Sequence, residues 1–211
     1  MKKLFSMTLA ILVCLSLMGS LIACSNGAIS EEEWETMLDP SNFENYTVDL
    51  QGNMTVRVNG VTQTENYPVH TVCRVTENAV EVVIIDGDNE ASVVLTGDEA
   101  EVQKTESSQL FLIILGGYED FEYDEKTGEY IIPNKMIETN ITTIVNGETA
   151  EKIPVAITVK SGRVKLSDGG KIAKLTCEYS QKMELAEGQT TVTEGNTTWT
   201  FSNFGTTVVN A

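Results

Sequence analysis

The chain has 211 residues, with 31 Asp and Glu against 14 Lys and Arg, one histidine and a net charge of −17 at pH 7. Acidity on this scale excludes nucleic acid as a partner, since phosphates demand a Lys and Arg footprint, and argues equally against adhesion of the domain to anionic headgroups. One domain is the natural count, long enough to hide roughly 70% of its unfolded surface.

Lys2 and Lys3 precede an apolar run from Leu4 to Ile22, interrupted by Ser6, Thr8, Ser16, Gly19 and Ser20. That is the charged region and apolar region of an export signal, and no later stretch approaches the ~20 apolar residues of a spanning helix. Leu21-Ile22-Ala23-Cys24 resembles the bacterial lipobox. The resemblance implies cleavage before Cys24, a diacylglyceryl group on its thiol, and a membrane anchor of acyl chains that makes a transmembrane helix unnecessary. It places the chain outside the cytoplasm, on the outer face of the cell membrane or on an outer membrane where the cell has one. Residues 1–23 are then a signal peptide, 24–29 the lipidated Cys and a flexible tether of small residues, and 30–211 a single domain. Removing residues 1–23 takes away two lysines and no acid, leaving 188 residues with a net charge of −19.

Ser30 followed by Glu31, Glu32 and Glu33 predicts a capped helix start, with Trp34, Met37 and Leu38 as its apolar stripe and Asp39-Pro40 as its stop. From Tyr46 to Val58 the even positions are apolar, apart from Gly52, and the odd ones mostly polar, which predicts a long strand with one buried face. Asn59-Gly60 predicts a hairpin, returning through Thr76. Val80 to Ile85, the turn Asp86-Gly87 and Ala91 to Thr96 predict another. Leu110 to Leu115 is continuously apolar, and periodicity leaves both a buried strand and a helix on the concave side of a sheet open.

Phe121, Tyr123, the turn Asp124 to Gly128, and Tyr130 to Ile132 predict a further hairpin. Ile137 to Val145 and Ile153 to Val159 flank the turn Asn146-Gly147, and a turn is also expected at Ser161-Gly162, with Val164 and Leu166 answering across it. Ile172 to Tyr179 and a terminal segment through Trp199, Phe201 and Phe204 to Val209 complete the pattern. About ten strands at hairpin spacing predict a mainly β fold: one curved antiparallel sheet or unclosed half-barrel, with one or two short helices on its concave side.

The amphipathic N-terminal helix, the hairpin series, the Phe121-x-Tyr123-Asp124-Glu-Lys-Thr-Gly128-x-Tyr130 turn and the closing Thr200-Phe-Ser-Asn-Phe-Gly-Thr-Thr207 together resemble uncharacterised lipoproteins of gut Firmicutes. More distantly they resemble LolA-like carriers and the mycobacterial LppX-like lipoproteins. The resemblance implies an unclosed β-barrel whose concave side, covered by helices, holds acyl chains; the only residues it assigns are the lipobox ones.

Catalytic and metal motifs are absent: no Gly-x-Ser-x-Gly, His-Glu-x-x-His, Cys-x-x-Cys or phosphate loop occurs. His70 stands alone, so no His-rich metal site or cofactor is expected, and Asp86 to Glu90 reads as turn chemistry despite its oxygen-rich composition. A glycosidase pair among the many carboxylates would depend on their separation in space. Trp34, Leu110, Phe111, Phe121, Tyr123, Trp199 and Phe201 are candidate linings of a cavity, or alternatively core. Cys73 and Cys177 are either a disulfide, which the exported location permits, or two buried thiols. The expectation is a non-enzymatic module, attached to the membrane through Cys24, that binds a lipid or other hydrophobic small molecule. The competing reading is a cell-envelope interaction protein with a solid core.

Overall fold

The computed structural model describes residues 27–144, 150–185 and 188–209; the lipobox residues Leu21, Ile22, Ala23 and Cys24 and the turn at Asn146-Gly147 lie outside them. Ten strands form one antiparallel sheet that does not close: β1 (Tyr46–Val58), β2 (Val61–Val75), β3 (Ala79–Asp86), β4 (Asn89–Thr96), β5 (Glu122–Asp124), β6 (Glu129–Ile132), β7 (Lys135–Ile144), β8 (Ala150–Leu166), β9 (Ile172–Glu184) and β10 (Thr190–Ser202). Their order is β4-β3-β2-β1-β10-β9-β8-β6-β5, with β7 also on β8. The long strand β8 takes β7 along residues 150–159 and β6 along 162–165, so two short strands share one edge.

Local chemistry accounts for the hairpins. Asn59 at φ 51 and Gly60 at φ 78 provide the two left-handed residues of a tight turn between β1 and β2, the conformation that Asn-Gly favours. In α1 (Glu31–Met37) Ser30 accepts from the Glu33 N–H at 3.2 Å while the Glu33 carboxylate takes the Ser30 N–H at 2.7 Å. These bonds hold the Glu33 carboxyl below its ordinary range.

The apolar run 110–115 is helical, the last turn and a half of α2 (Gly97–Leu115). This helix touches β3 and β4 at one end of the sheet and β7 at the other. Strands so far apart in the order can meet one helix only if the sheet curls around it, so α2 lies on the concave side. Phe111, Ile114 and Leu115 are fully buried there, beside Tyr46, Val75, Val80, Ile157, Val164 and Leu175.

Three expectations are corrected. Ser161-Gly162 is no turn: β8 runs through it with a bulge between Val159 and Ser161. Glycine is needed for close approach, since a Cβ at 162 would sit 3.0 Å from Ile132 Cδ1. The final strand ends at Ser202; Asn203 (φ 55) and Gly205 (φ 74) turn the chain back, and Thr207 bonds Asn45 Oδ1 through its N–H at 2.8 Å. The expected tether is shortened, because Ala28 and Ile29 pack on the core and belong to the body.

Candidate functional site

The residues expected to line a cavity are packed instead. Trp34, Phe111, Trp199 and Phe201 are buried, while Leu110, Phe121 and Tyr123 are half-buried against the same core. Trp34 meets Tyr118, Phe121 and Tyr130 at centroid distances of 5.0–5.7 Å, and Phe111 meets Phe43 and Phe201 at 5.3 and 4.9 Å. The reason is volume: a 19-residue helix inserted in the concavity, together with α1, takes the space a ligand would need. Four of these side chains are core, and the other three pack on its edge.

A cleft of about 420 Å³ opens instead beside α1. Its apolar walls are Ile29, Met37, Phe43, Ile172 and Phe204; its polar rim is Glu32, Glu33, Thr36, Asn42 and Lys171, with Gly169 and Gly170 of the β8–β9 turn closing one side. Three further segments meet this turn and Ile29 to complete it. Helix α1 turns Met37 inward, the short 3-10 turn Pro40–Phe43 delivers Phe43, and the returning C-terminal segment delivers Phe204. Rim groups are partly spoken for: Asn42 Nδ2 donates to the Thr36 carbonyl at 2.8 Å, and Thr36 Oγ1 donates to the Glu32 carbonyl at 2.7 Å. The Lys171 ammonium stands 4.9 Å from the centre of the Phe204 ring, a cation beside an apolar floor.

A second groove, about 580 Å³, shares Phe43 but draws most of its lining residues from polar types, among them Glu44, Glu77, Glu101, Lys104 and Thr105. Lys104 is already engaged there by Glu101 at 2.7 Å and by the Glu77 carbonyl. An apolar floor with a few polar groups at its edge is the commoner form of a small-molecule seat, which favours the α1 cleft.

Beside the cleft, the Ile29 N–H donates to the Tyr130 hydroxyl at 2.6 Å and the Tyr118 hydroxyl donates to the Ile29 carbonyl at 2.5 Å. Lys135 closes the C-terminal end of α2, donating to the Gly116 carbonyl at 2.7 Å and lying 4.8 Å over Phe121. Partial burial lowers the pKa of its ammonium.

The two thiols are free and buried. Cys73 lies on β2 and Cys177 on β9, with β1 and β10 between them; three strand spacings are about 14 Å, beyond the ~7 Å between Cα atoms that a disulfide spans. Burial pushes Cys73 up to about 11 and Cys177 up to about 12, which makes both poor nucleophiles. His70 is half-exposed on the outer face, its Nε2 3.3 Å from Asp49 Oδ1 and 3.3 Å from Gln51 Nε2. Asp86 and Asn89 pair across the two-residue turn of the β3–β4 hairpin.

No family model matches the chain, and no curated protein matches it. Among the described residues no helix is long and apolar enough to cross a membrane.

Sequence reasoning placed Met37 on the buried stripe of α1 but missed Ile29, Phe43, Lys171, Ile172 and Phe204 as neighbours. They come from four separate segments, and nothing in their spacing announces the meeting.

Proposed function

We propose that this chain is an exported lipoprotein, anchored through diacylglyceryl-Cys24, whose domain is a non-enzymatic binding module for an amphipathic small molecule or lipid held in the α1 cleft. The observation that carries the reading is the cleft itself: 420 Å³ with apolar walls from Met37, Phe43, Ile172 and Phe204 and a cation, Lys171, at the rim. That volume falls within the usual range of ligand sites. Shifted titratable groups argue for binding over catalysis. Tyr46, Cys73, Cys177 and Tyr179 are raised by desolvation in packed core, and the one rim acid with a shift, Glu33, is held ionised by Ser30 and makes a poor proton donor.

The soluble chain from Gly27 onward should bind a fluorescent fatty-acid probe. Thr36→Trp, which fills the cleft from an exposed helix position, should abolish binding with thermal stability kept. Absence of binding by the parent chain, or equal binding by the variant, would remove the reading.

A second reading, an interaction protein of the cell envelope with a solid core, draws on a different surface. Tyr67, Ile84 and Val93 are 49%, 57% and 51% exposed on the sheet face that carries Val48. Probe binding that survives Thr36→Trp but is lost in Ile84→Glu/Val93→Lys would favour it.

A further inference from the structure

Residues 27–29 are held as part of the domain. Both backbone polar groups of Ile29 are engaged, by Tyr130 at 2.6 Å and Tyr118 at 2.5 Å, partners 101 and 89 positions away. Gly27, at φ +83, lies against the Tyr123 hydroxyl, so a Cβ there would be strained and would displace the ring. The tyrosines are themselves braced: Tyr130 is 5.0 Å from the Trp34 ring and 5.0 Å from the Tyr123 ring, and Tyr118 is 5.7 Å from Trp34. Pulling on this segment therefore means pulling on the core.

Covalent geometry sets the next distance. The three residue steps from Gly27 back to Cys24 reach about 10 Å at full extension. If the thiol at 24 carries the lipid, the bilayer surface is that close to Tyr123. The cross-strand row through Tyr123 crosses β1 at Leu50, and the Asn59-Gly60 turn lies about 30 Å further along that strand.

We infer that Tyr118, Tyr123 and Tyr130 clamp residues 27–29 into a fixed foot, so that the domain stands on a lipid bilayer on its α1 and β5–β6 end with the β1–β2 hairpin pointing away. This rests on the lipidation of Cys24 proposed above. Charge does not seat the domain: the foot end carries Glu31, Glu32, Glu119, Asp120 and Glu122, which anionic headgroups repel. The geometry of the clamp has to do so. Ile29 is also a wall of the α1 cleft, so the clamped segment and the cleft share a residue.

The lipidated full chain, carrying a fluorophore at Lys126→Cys or at Gln63→Cys, would be reconstituted in phosphatidylcholine vesicles containing a headgroup nitroxide lipid. Cys73 and Cys177 are buried and stay unlabelled. Emission at position 126, beside the foot, should be quenched several-fold more than emission at position 63, near the distal turn. Equal quenching, or stronger quenching at 63, in protein that floats with the vesicles overturns the fixed foot alone. Failure to float overturns the anchoring and the foot together. Tyr118→Phe/Tyr130→Phe keeps both rings and removes both hydroxyls; flotation should persist while the contrast between positions 126 and 63 shrinks. An unchanged contrast in that variant overturns the role of the clamp.

Discussion

The ring of Tyr179 lies across Gly195 on the neighbouring strand, so closely that a Cβ on residue 195 would stand 2.7 Å from Tyr179 Cε1. Bare backbone on β10 thus lets an aromatic ring from β9 lie flat over it, 6.0 Å from Trp199. Gly52 on β1 is tighter still, because its Cβ would run into backbone, the Asn196 carbonyl oxygen first and then Thr197 Cα at 2.8 Å.

Gly195→Ala should cost about 1–3 kcal/mol in urea unfolding, the usual range for overpacking, although alanine suits a strand better than glycine. Gly52→Ala should cost more, since a ring can tilt and a paired strand cannot. A Gly52→Ala variant as stable as the parent would contradict this packing.

Trp34 is the second point of sensitivity. Its indole N–H donates to the Leu115 carbonyl at 3.2 Å, satisfying one of the open acceptors at the end of α2 and tying the two helices together. Trp34→Ala should cost about 3–5 kcal/mol. Trp34→Phe, which keeps most of the ring but leaves a buried carbonyl unpaired, should cost about 1–3 kcal/mol.

Lys135 should matter less. It brings a positive charge to the C-terminal end of α2, whose last turn has no basic residue of its own. Lys135→Met should cost about 1 kcal/mol, with the loss smaller at high salt. Hydrogen exchange should show it as faster exchange confined to the last turn of α2.

Alkaline pH should unfold the chain from about 9 upward. Cys73 and Cys177 ionise near 9.0 when unfolded, but burial holds them protonated to about 11 and about 12 in the fold, and Tyr46 and Tyr179 likewise rise from 10.0 to about 12. Folded groups with raised pKa contribute stability that is complete below the unfolded value and is lost as pH climbs toward the folded one. Melting temperature should therefore fall between pH 9 and 12. In Cys73→Ala/Cys177→Ala the curve should start lower but stay flat to about pH 10, where the tyrosines take over. A fall beginning at pH 9 in that variant would assign the loss elsewhere.

The hairpins were readable because each is a local event. Asn59-Gly60, Asp86-Gly87 and the Asp124 to Gly128 turn carry their conformation in their own residues, and the alternating segment Tyr46 to Val58 has the same bounds as β1, although Thr47 is buried as well as Tyr46 and Val48. Helix α2 was harder. Its first twelve residues are mostly polar, its N-cap Thr96 makes no side-chain bond, and its deep contacts are concentrated at Ala100, Phe111, Ile114 and Leu115. Ser161-Gly162 has the composition of a turn, and only the approach of Ile132 from another strand explains its glycine. The cleft and the tyrosine clamp join residues as many as 101 positions apart, a relation that composition and period do not encode.

The seam between β1 and β10 has a temporal side. Thr47 pairs with Ser202, and the whole length of β1 has β10 as one of its two neighbours. A chain made from its N-terminus must keep β1 half-satisfied until nearly every other residue has emerged, and closing so large a loop is slow. During that wait the β1–β2 ribbon offers an open, partly apolar edge to any strand nearby, so a chaperone that shields that edge would raise the yield of folded protein.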